Sequence, residues 1–200
     1  MGINLQKGQK IDLTKNGGAG LSRIMVGLGW DEAQRGGFFG RPQPIDCDAS
    51  VILCGANGKV VDSNNINASV VYFGNLKHFS GAIMHMGDNL TGAGEGDDEQ
   101  IMVDLKAVPN YVEKMVFVVN IYDANVRNQH FGLIRNAFIR IVDLSTNSEI
   151  CRFNLTENYS GMTGLIVGEI YRRNGEWKFN AVGQGIREAS RLASLINLYI

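Results

Sequence analysis

Apolar and polar residues alternate along most of the chain, in short runs separated by turn residues. Such a period of two indicates strands whose side chains point in turn to a core and to solvent. The runs lie at residues 3–5, 11–13, 24–28, 45–53, 70–73, 82–86, 101–105, 115–122, 138–142, 150–155, 165–171 and 177–179. Eight or more short strands with regular turn signals predict an all-β fold, a two-sheet β-sandwich.

Three details refine this picture. The Asn174-Gly175 pair is a strong tight-turn signal and predicts a hairpin between the last two runs. The run 115–122 is the most apolar one and is predicted to be a central strand. Only residues 186–198 place apolar side chains at helical spacing, which predicts a C-terminal helix. We therefore expect residues 1–200 to form a single domain that ends in a short helix.

Composition narrows the function classes. A net charge of −1 gives no electrostatic reason to expect binding to nucleic acid or to an anionic membrane. The N-terminus lacks the apolar core of a signal peptide, and no run is long enough to span a membrane. The three cysteines are widely spread and lack zinc-site spacing. We expect a cytoplasmic protein.

The most unusual stretch is Asp88–Glu99, which holds five carboxylates and three glycines and no basic residue. Two unit charges about 4 Å apart repel by roughly 4 kcal/mol at an effective dielectric of 20. A folded loop of this composition calls for a cation, and an all-oxygen ligand set suits calcium. It is not an EF-hand, because Leu90, Gly92 and Ala93 occupy positions that the EF-hand pattern reserves for other residues. The loop alone is equally consistent with a solvated acidic turn.

Other polar residues stand at the ends of predicted strands. Asp46 and Asp48 share one face of a strand because side chains repeat every two residues. Asp31, Asn75 and Asp123 each follow an apolar run. In a sandwich, such strand ends meet at one rim, so these residues could supply the ligands that the acidic loop lacks.

The sequence carries a set of motifs spread over nearly its whole length: Leu5-Gln6-Lys7-Gly8, Gly27-Leu28-Gly29-Trp30-Asp31, Asp46-Cys47-Asp48-Ala49-Ser50, Gly87-Asp88-Asn89-Leu90-Thr91-Gly92, Gly96-Asp97-Asp98-Glu99, Phe117-Val118-Val119, Asn136-Ala137-Phe138-Ile139-Arg140, Gly168-Glu169-Ile170-Tyr171-Arg172, Trp177-Lys178-Phe179 and Ala181-Val182-Gly183-Gln184-Gly185. On these motifs the chain resembles the TerD family, the tellurium-resistance and general-stress group.

The resemblance implies a β-sandwich that binds two adjacent calcium ions and has no known catalytic activity. It also implies a cytoplasmic role in resistance to tellurite and other stresses, beside other Ter-type proteins, some of them membrane-associated. The family's acidic positions carry over onto these residues: Asp46, Asp48, Asp88, Asn89, Asp97, Asp98 and Glu99. Asp31 and Asn75 are added from their position at strand ends. One departure is Cys47, which stands where the family has an aliphatic residue.

Three other functions are weighed against this one. A hydrolase is disfavoured because His78, His85 and His130 are scattered and no serine or cysteine lies in a nucleophile motif. A two-metal phosphoryl-transfer site is disfavoured because the carboxylates lack a histidine or a basic clamp nearby. A calcium-dependent lipid-binding or partner-docking module stays open, although the loop lacks the basic and large apolar residues that would insert into headgroups.

Overall fold

The computed structural model describes residues 2–13, 21–32, 44–87 and 96–200. Within this part, twelve strands and two short α-helices are formed. The strands are β1 (Ile3–Leu5), β2 (Lys10–Asp12), β3 (Arg23–Glu32), β4 (Cys47–Cys54), β5 (Val70–Val71), β6 (Ile83–His85), β7 (Glu99–Asp104), β8 (Lys114–Ile121), β9 (Ile134–Asp143), β10 (Ser148–Asn154), β11 (Gly164–Arg173) and β12 (Glu176–Ile186). The helices are α1 (Ala124–Arg127) and α2 (Leu192–Ile196).

The strands form two six-stranded sheets, which confirms the all-β sandwich prediction. The first sheet has the order β1-β10-β9-β3-β7-β6, and the second has the order β2-β12-β11-β8-β4-β5. The N-terminal strands therefore belong to different sheets, one at an edge of each. The pairing of β1 with β10 is parallel, whereas every other pair of described strands is antiparallel.

The main core lies between the sheets and follows the alternation seen in the sequence. In β7, for example, Ile101 and Val103 are buried while their neighbours are partly exposed. Strand β8 is buried on both faces because a second apolar cluster covers the outer face of its sheet. There Val116 and Val118 pack in one cluster with Leu195 and Ile196 from the C-terminal segment. This double burial is the physical reason for the continuous apolar run at 115–122.

The predicted hairpin at Asn174-Gly175 is present between β11 and β12. Both turn residues have positive φ, 55° and 79°, as this turn type requires. The predicted helix over 186–198 was too long, since α2 begins only at Leu192. The Thr163 hydroxyl donates to the carbonyl of Arg187 and accepts from the backbone N–H of Ala189, which holds this stretch out of a helix. Among the described residues, no helix is both long and apolar enough to cross a membrane.

One end of the sandwich gathers the strand ends that the site prediction needs. Strand β3 ends there, and β4 and β7 begin there, since Leu28 pairs with Glu99 and Cys47 pairs with Ile121 at the end of β8. Strands β6 and β7 are antiparallel, so the acidic stretch connects them as predicted. We call this end the acidic rim and define it by these described residues: Trp30, Asp31, Asp46, Asp48, Asp97, Asp98 and Glu99.

Candidate metal site at the acidic rim

Asp97 is the most firmly held of the rim carboxylates. Its side chain is fully buried, and the Arg140 guanidinium contacts it with two nitrogens. The Nε–Oδ1 distance is 2.7 Å and the Nη2–Oδ2 distance is 2.9 Å, which is a bidentate pair. The Gln100 side-chain amide donates to Asp97 Oδ2 at 3.2 Å. Asp97 is thus already paired with a cation supplied by the protein.

Gly27 makes room for this pair. It lies on β3, opposite Gln100 on β7 and Arg140 on β9. A Cβ atom at this position would come within 2.4 Å of the Asp97 carboxylate. Only glycine fits without displacing the carboxylate, which explains this residue of the Gly27–Asp31 motif in physical terms.

Asp98 sits among other negative charges. Its backbone N–H donates to the carbonyl of Leu28 at 2.8 Å, and its Oδ2 accepts from the backbone N–H of Trp30 at 2.7 Å. Burial raises the pKa of Asp98, the hydrogen bond from Trp30 opposes that rise, and the charges of Asp31 and Asp97 add to it. Asp31 itself is exposed and accepts a hydrogen bond from the Asn136 amide at 2.7 Å. Asp98 is therefore half-buried with two other carboxylates close to it.

Asp46 and Asp48 lie at the start of β4 in the second sheet. Cys47 between them points into the main core and is fully buried, so the departure from an aliphatic residue leaves a packed position filled. Asp48 faces the opposite side, is only 6% exposed, and accepts from the Asn120 amide at 3.2 Å across the ladder. An oxygen of Asp46 lies 3.8 Å from the Arg127 guanidinium of α1.

Glu99 bridges the two sheets. It is 1% exposed, and its Oε2 accepts from the backbone N–H of Ala49 on β4 at 2.6 Å. The Nε2 atom of His85 lies 3.3 Å from the same oxygen and 3.2 Å from the carbonyl oxygen of Ala49. Strand β5 pairs with β4 only at Val51 and Ile52. At Ala49, where that pairing has ended, the side chains of Glu99 and His85 supply the hydrogen-bond partners of the backbone. His85 has the structural role expected from its place in a strand.

Asn75 lies in the turn after β5. Its side-chain amide donates to the carbonyls of Asn67 and Val70, at 2.9 and 2.7 Å. Among the described contacts, none joins Asn75 to a rim carboxylate. Asn75 therefore supports its own turn, and its role as a ligand stays a prediction.

The donor set at the rim is all oxygen, as hard cations prefer. Among residues 2–13, 21–32, 44–87 and 96–200, no three side chains of His, Cys, Asp or Glu are placed to hold a metal ion. A calcium site here therefore needs further oxygens. Asp88 and Asn89 are the candidates from the sequence, and they lie outside the described residues.

Two cationic residues at the rim were missed from the sequence. Arg140 belongs to the Asn136–Arg140 motif but lies 43 residues from Asp97. Arg127 carried no motif signal at all. The premise that no basic group or histidine stands near the carboxylates was therefore wrong, because Arg140, Arg127 and His85 all contact them.

Comparison with known proteins was made for sequence and for fold. The TerD domain family matches residues 1–199. A relative named "Stress response protein SCP2" from Bacillus subtilis (strain 168) is 54% identical over 206 residues, with all of both chains covered. "Tellurium resistance protein TerD" from Serratia marcescens is 43% identical over 199 residues, covering 100% of this chain and 97% of the relative.

Solved structures agree on the fold. A homologue of telluride resistance protein (TerD) from Streptomyces coelicolor A3(2) superposes with a TM-score of 0.61 at 23% identity. The match covers 84% of this chain and 91% of that one. With a family match over nearly the whole chain and relatives of this similarity, the chain belongs to the TerD family.

Proposed function

We propose that this chain is a non-catalytic, cytoplasmic calcium-binding protein that contributes to resistance against tellurite and other stresses. The stress and tellurium part is supported by the names of relatives that are 54% and 43% identical over their full length or nearly so. The calcium part is carried by one observation: hydrogen bonds to Trp30 and Leu28 at the end of β3 fix Asp98 next to the residue that precedes Asp31, and Asp98 directly follows Asp97 in the chain.

The charge balance at the rim favours a bound cation. The described ion pairs bring two guanidinium groups, from Arg127 and Arg140, to a rim with six carboxylates. Further negative charge enters with the acidic stretch that joins β6 to β7. Coulomb repulsion between such groups is only partly relieved by two arginines. Calcium tolerates irregular sets of six to eight oxygen ligands, which suits carboxylates gathered from several strands.

The contacts assign two roles to the predicted ligands, metal binding and support of the site. In this proposal Asp31, Asp46, Asp48 and Asp98, with Asp88 and Asn89, supply oxygens to two calcium ions. Asp97 and Glu99 are engaged with Arg140 and with β4, so they anchor the protein side of the site. Other Ter-type proteins, some of them membrane-associated, would then dock on the loaded rim.

Calorimetric titration of the chelator-treated protein with calcium tests this directly. We expect saturable binding of two ions, and weaker binding in Asp98→Asn. Glu176→Gln is the matched control, because Glu176 lies beside the β11–β12 turn, at the opposite end of the sandwich. Absence of binding, or equal affinity of Asp98→Asn and the wild type, would remove the rim as the site.

A vesicle pelleting assay separates partner docking from lipid binding. We expect that calcium does not cause the protein to co-sediment with vesicles of phosphatidylcholine and phosphatidylserine. Calcium-dependent pelleting would instead identify the rim as a lipid-binding surface.

A further inference from the structure

A row of methionines crosses the outer face of the first sheet, away from the acidic rim residues. Met84 on β6 pairs with Met102 on β7, and Met102 pairs with Met25 on β3. Val142 on β9 continues the row beyond Met25. Met86 follows Met84 by two positions, so four of the seven methionines belong to this region.

All three ladder residues point away from the main core. Their strand neighbours Ile24, Val26, Ile83, Ile101 and Val103 are buried core residues. Met84 is 37% exposed, Met102 is partly exposed, and Met25 is 7% exposed. The row therefore runs from an accessible end on β6 to a covered end on β3.

The ladder brings the three thioethers within reach of one another. Side chains directly opposite on adjacent antiparallel strands have Cβ atoms about 4.5–5.5 Å apart. Methionine is unbranched and has three rotatable bonds, so the sulfurs of Met25 and Met84 can lean toward that of Met102. Three sulfur atoms can thus converge above the middle strand.

We propose that Met25, Met84 and Met102 form a binding site for a soft monovalent cation, Cu(I) or Ag(I). Thioether sulfur is a soft, neutral ligand that selects such ions over calcium and magnesium. The row itself contains sulfur and hydrocarbon only, so it offers no oxygen ligand to a hard cation. This site is independent of the proposed calcium site, which consists of oxygen atoms.

Most of the cationic side chains beside the row have a carboxylate next to them. On one side, Arg140 is held by Asp97 at 2.7 Å. On the other side, Arg23 lies directly across the ladder from Asp104. Each of these guanidinium groups thus has a carboxylate next to it, whereas Lys77, which lies opposite Met84 in an isolated bridge, adds one exposed ammonium group at the accessible end of the row.

The test is a silver titration of the full-length protein labelled with ¹³C at the methionine methyl groups. Silver(I) is the probe because it resists redox change in buffer, and it is added well beyond one equivalent per thiol since three buried cysteines compete for it. We expect the methyl signals of Met25, Met84 and Met102 to move together in one saturable step. The signals of Met115 and Met162 serve as internal controls and should stay in place.

Leucine substitutions keep apolar volume and remove the sulfur. In Met102→Leu and in the more exposed Met84→Leu, silver binding should weaken by about tenfold or more, whereas Met162→Leu should bind as the wild type does. Three results would overturn the site. The first is that the methyl signals of the row do not shift at excess silver. The second is that the chemical-shift dispersion of the folded protein is lost before they shift. The third is that the Met25 signal in Met102→Leu responds to silver with the affinity of the wild type.

Discussion

The pairing of Asp97 with Arg140 gives the sharpest prediction about stability. We expect Arg140→Met to destabilise the protein, because it leaves a fully buried carboxylate without its cation. Removing one partner of a buried ion pair costs about 3–5 kcal/mol. Arg140 is 26% exposed and Gln100 still donates to Asp97, so solvent and the amide recover part of this. The net loss should be about 2–3 kcal/mol in the free energy of unfolding.

The assay is equilibrium unfolding in urea together with thermal melting, both in chelator so that bound metal does not contribute. For a chain of 150–250 residues, 1 kcal/mol corresponds to about 2–4 °C, so Tm should fall by roughly 5–10 °C. Arg152→Met is the matched control. Arg152 lies directly opposite Arg140 and contacts Glu149 at only 3.4 Å, and its guanidinium covers the Phe138 ring. Its loss should cost about 1 kcal/mol or less.

A double-mutant cycle with Asp97→Asn isolates the pair. Contacting residues of this kind show coupling energies of about 0.5–3 kcal/mol. If Arg140→Met loses less than about 0.5 kcal/mol, or if the two substitutions add without coupling, the buried pair does not stabilise the rim. The same variants show whether Asp97 binds calcium directly or only anchors the site through Arg140. If Asp97 is a direct ligand, Asp97→Asn should weaken calcium binding far more than Arg140→Met does.

Four further outcomes are expected. Gly27→Ala should lower the free energy of unfolding by about 1–3 kcal/mol, because its Cβ would overlap the Asp97 carboxylate; a urea midpoint equal to that of the wild type would contradict this. The thiols should not react with an aromatic disulfide reagent at pH 8 until denaturant is added, since all three are buried and burial raises the pKa of Cys54 to about 11 and that of Cys151 to about 12. The ordinary pKa of these thiols is 9.0, so they ionise at lower pH in the unfolded chain than in the native protein. The stability that they contribute should therefore fall as pH rises from 9 through the native values. Urea unfolding at pH 8 and pH 10 measures this change, and equal midpoints would argue against it. Chelation should lower Tm, because a ligand present at 100 times its Kd stabilises the native state by about 2.7 kcal/mol; an unchanged Tm would speak against calcium binding.

Strand pattern was predictable here because each strand packs one face or both against apolar neighbours. The run at 115–122 predicted a central strand, and two apolar clusters bury the two faces of β8. The start of α2 was not predictable in this way. Residues 187–189 fit a helical pattern, but the hydroxyl of one threonine just before β11, Thr163, hydrogen-bonds to their backbone groups. Periodicity reports local preference and contains no information about that distant hydroxyl.

At the candidate site, too, local features were predictable from the sequence and long-range contacts were not. Carboxylate density identified the stretch, and the structure brings Asp31, Asp46 and Asp48 to the same end as Asp97–Glu99, whereas their role as metal ligands stays a prediction. Charge counting could not separate their roles. Glu99 is bound to the backbone of β4 and Asp97 to an arginine 43 residues away, contacts that depend on how the two sheets stack. Asn75 supports its own turn in the structure, and its role as a ligand stays a prediction.

The placement of β1 and β2 in different sheets has a consequence for biosynthesis. Ile3 pairs with Cys151, and Asp12 lies opposite Lys178, 166 residues along the chain. Pairings of such long range are the slow steps of folding, because loop closure must precede any gain from contact. Residues 3–5 must therefore wait for residues 151–153, and residues 10–12 for residues 178–180, to leave the ribosome. Until β10 has emerged β1 has no partner, and until β12 has emerged β2 has none, and unpaired strands of this kind are exposed to aggregation.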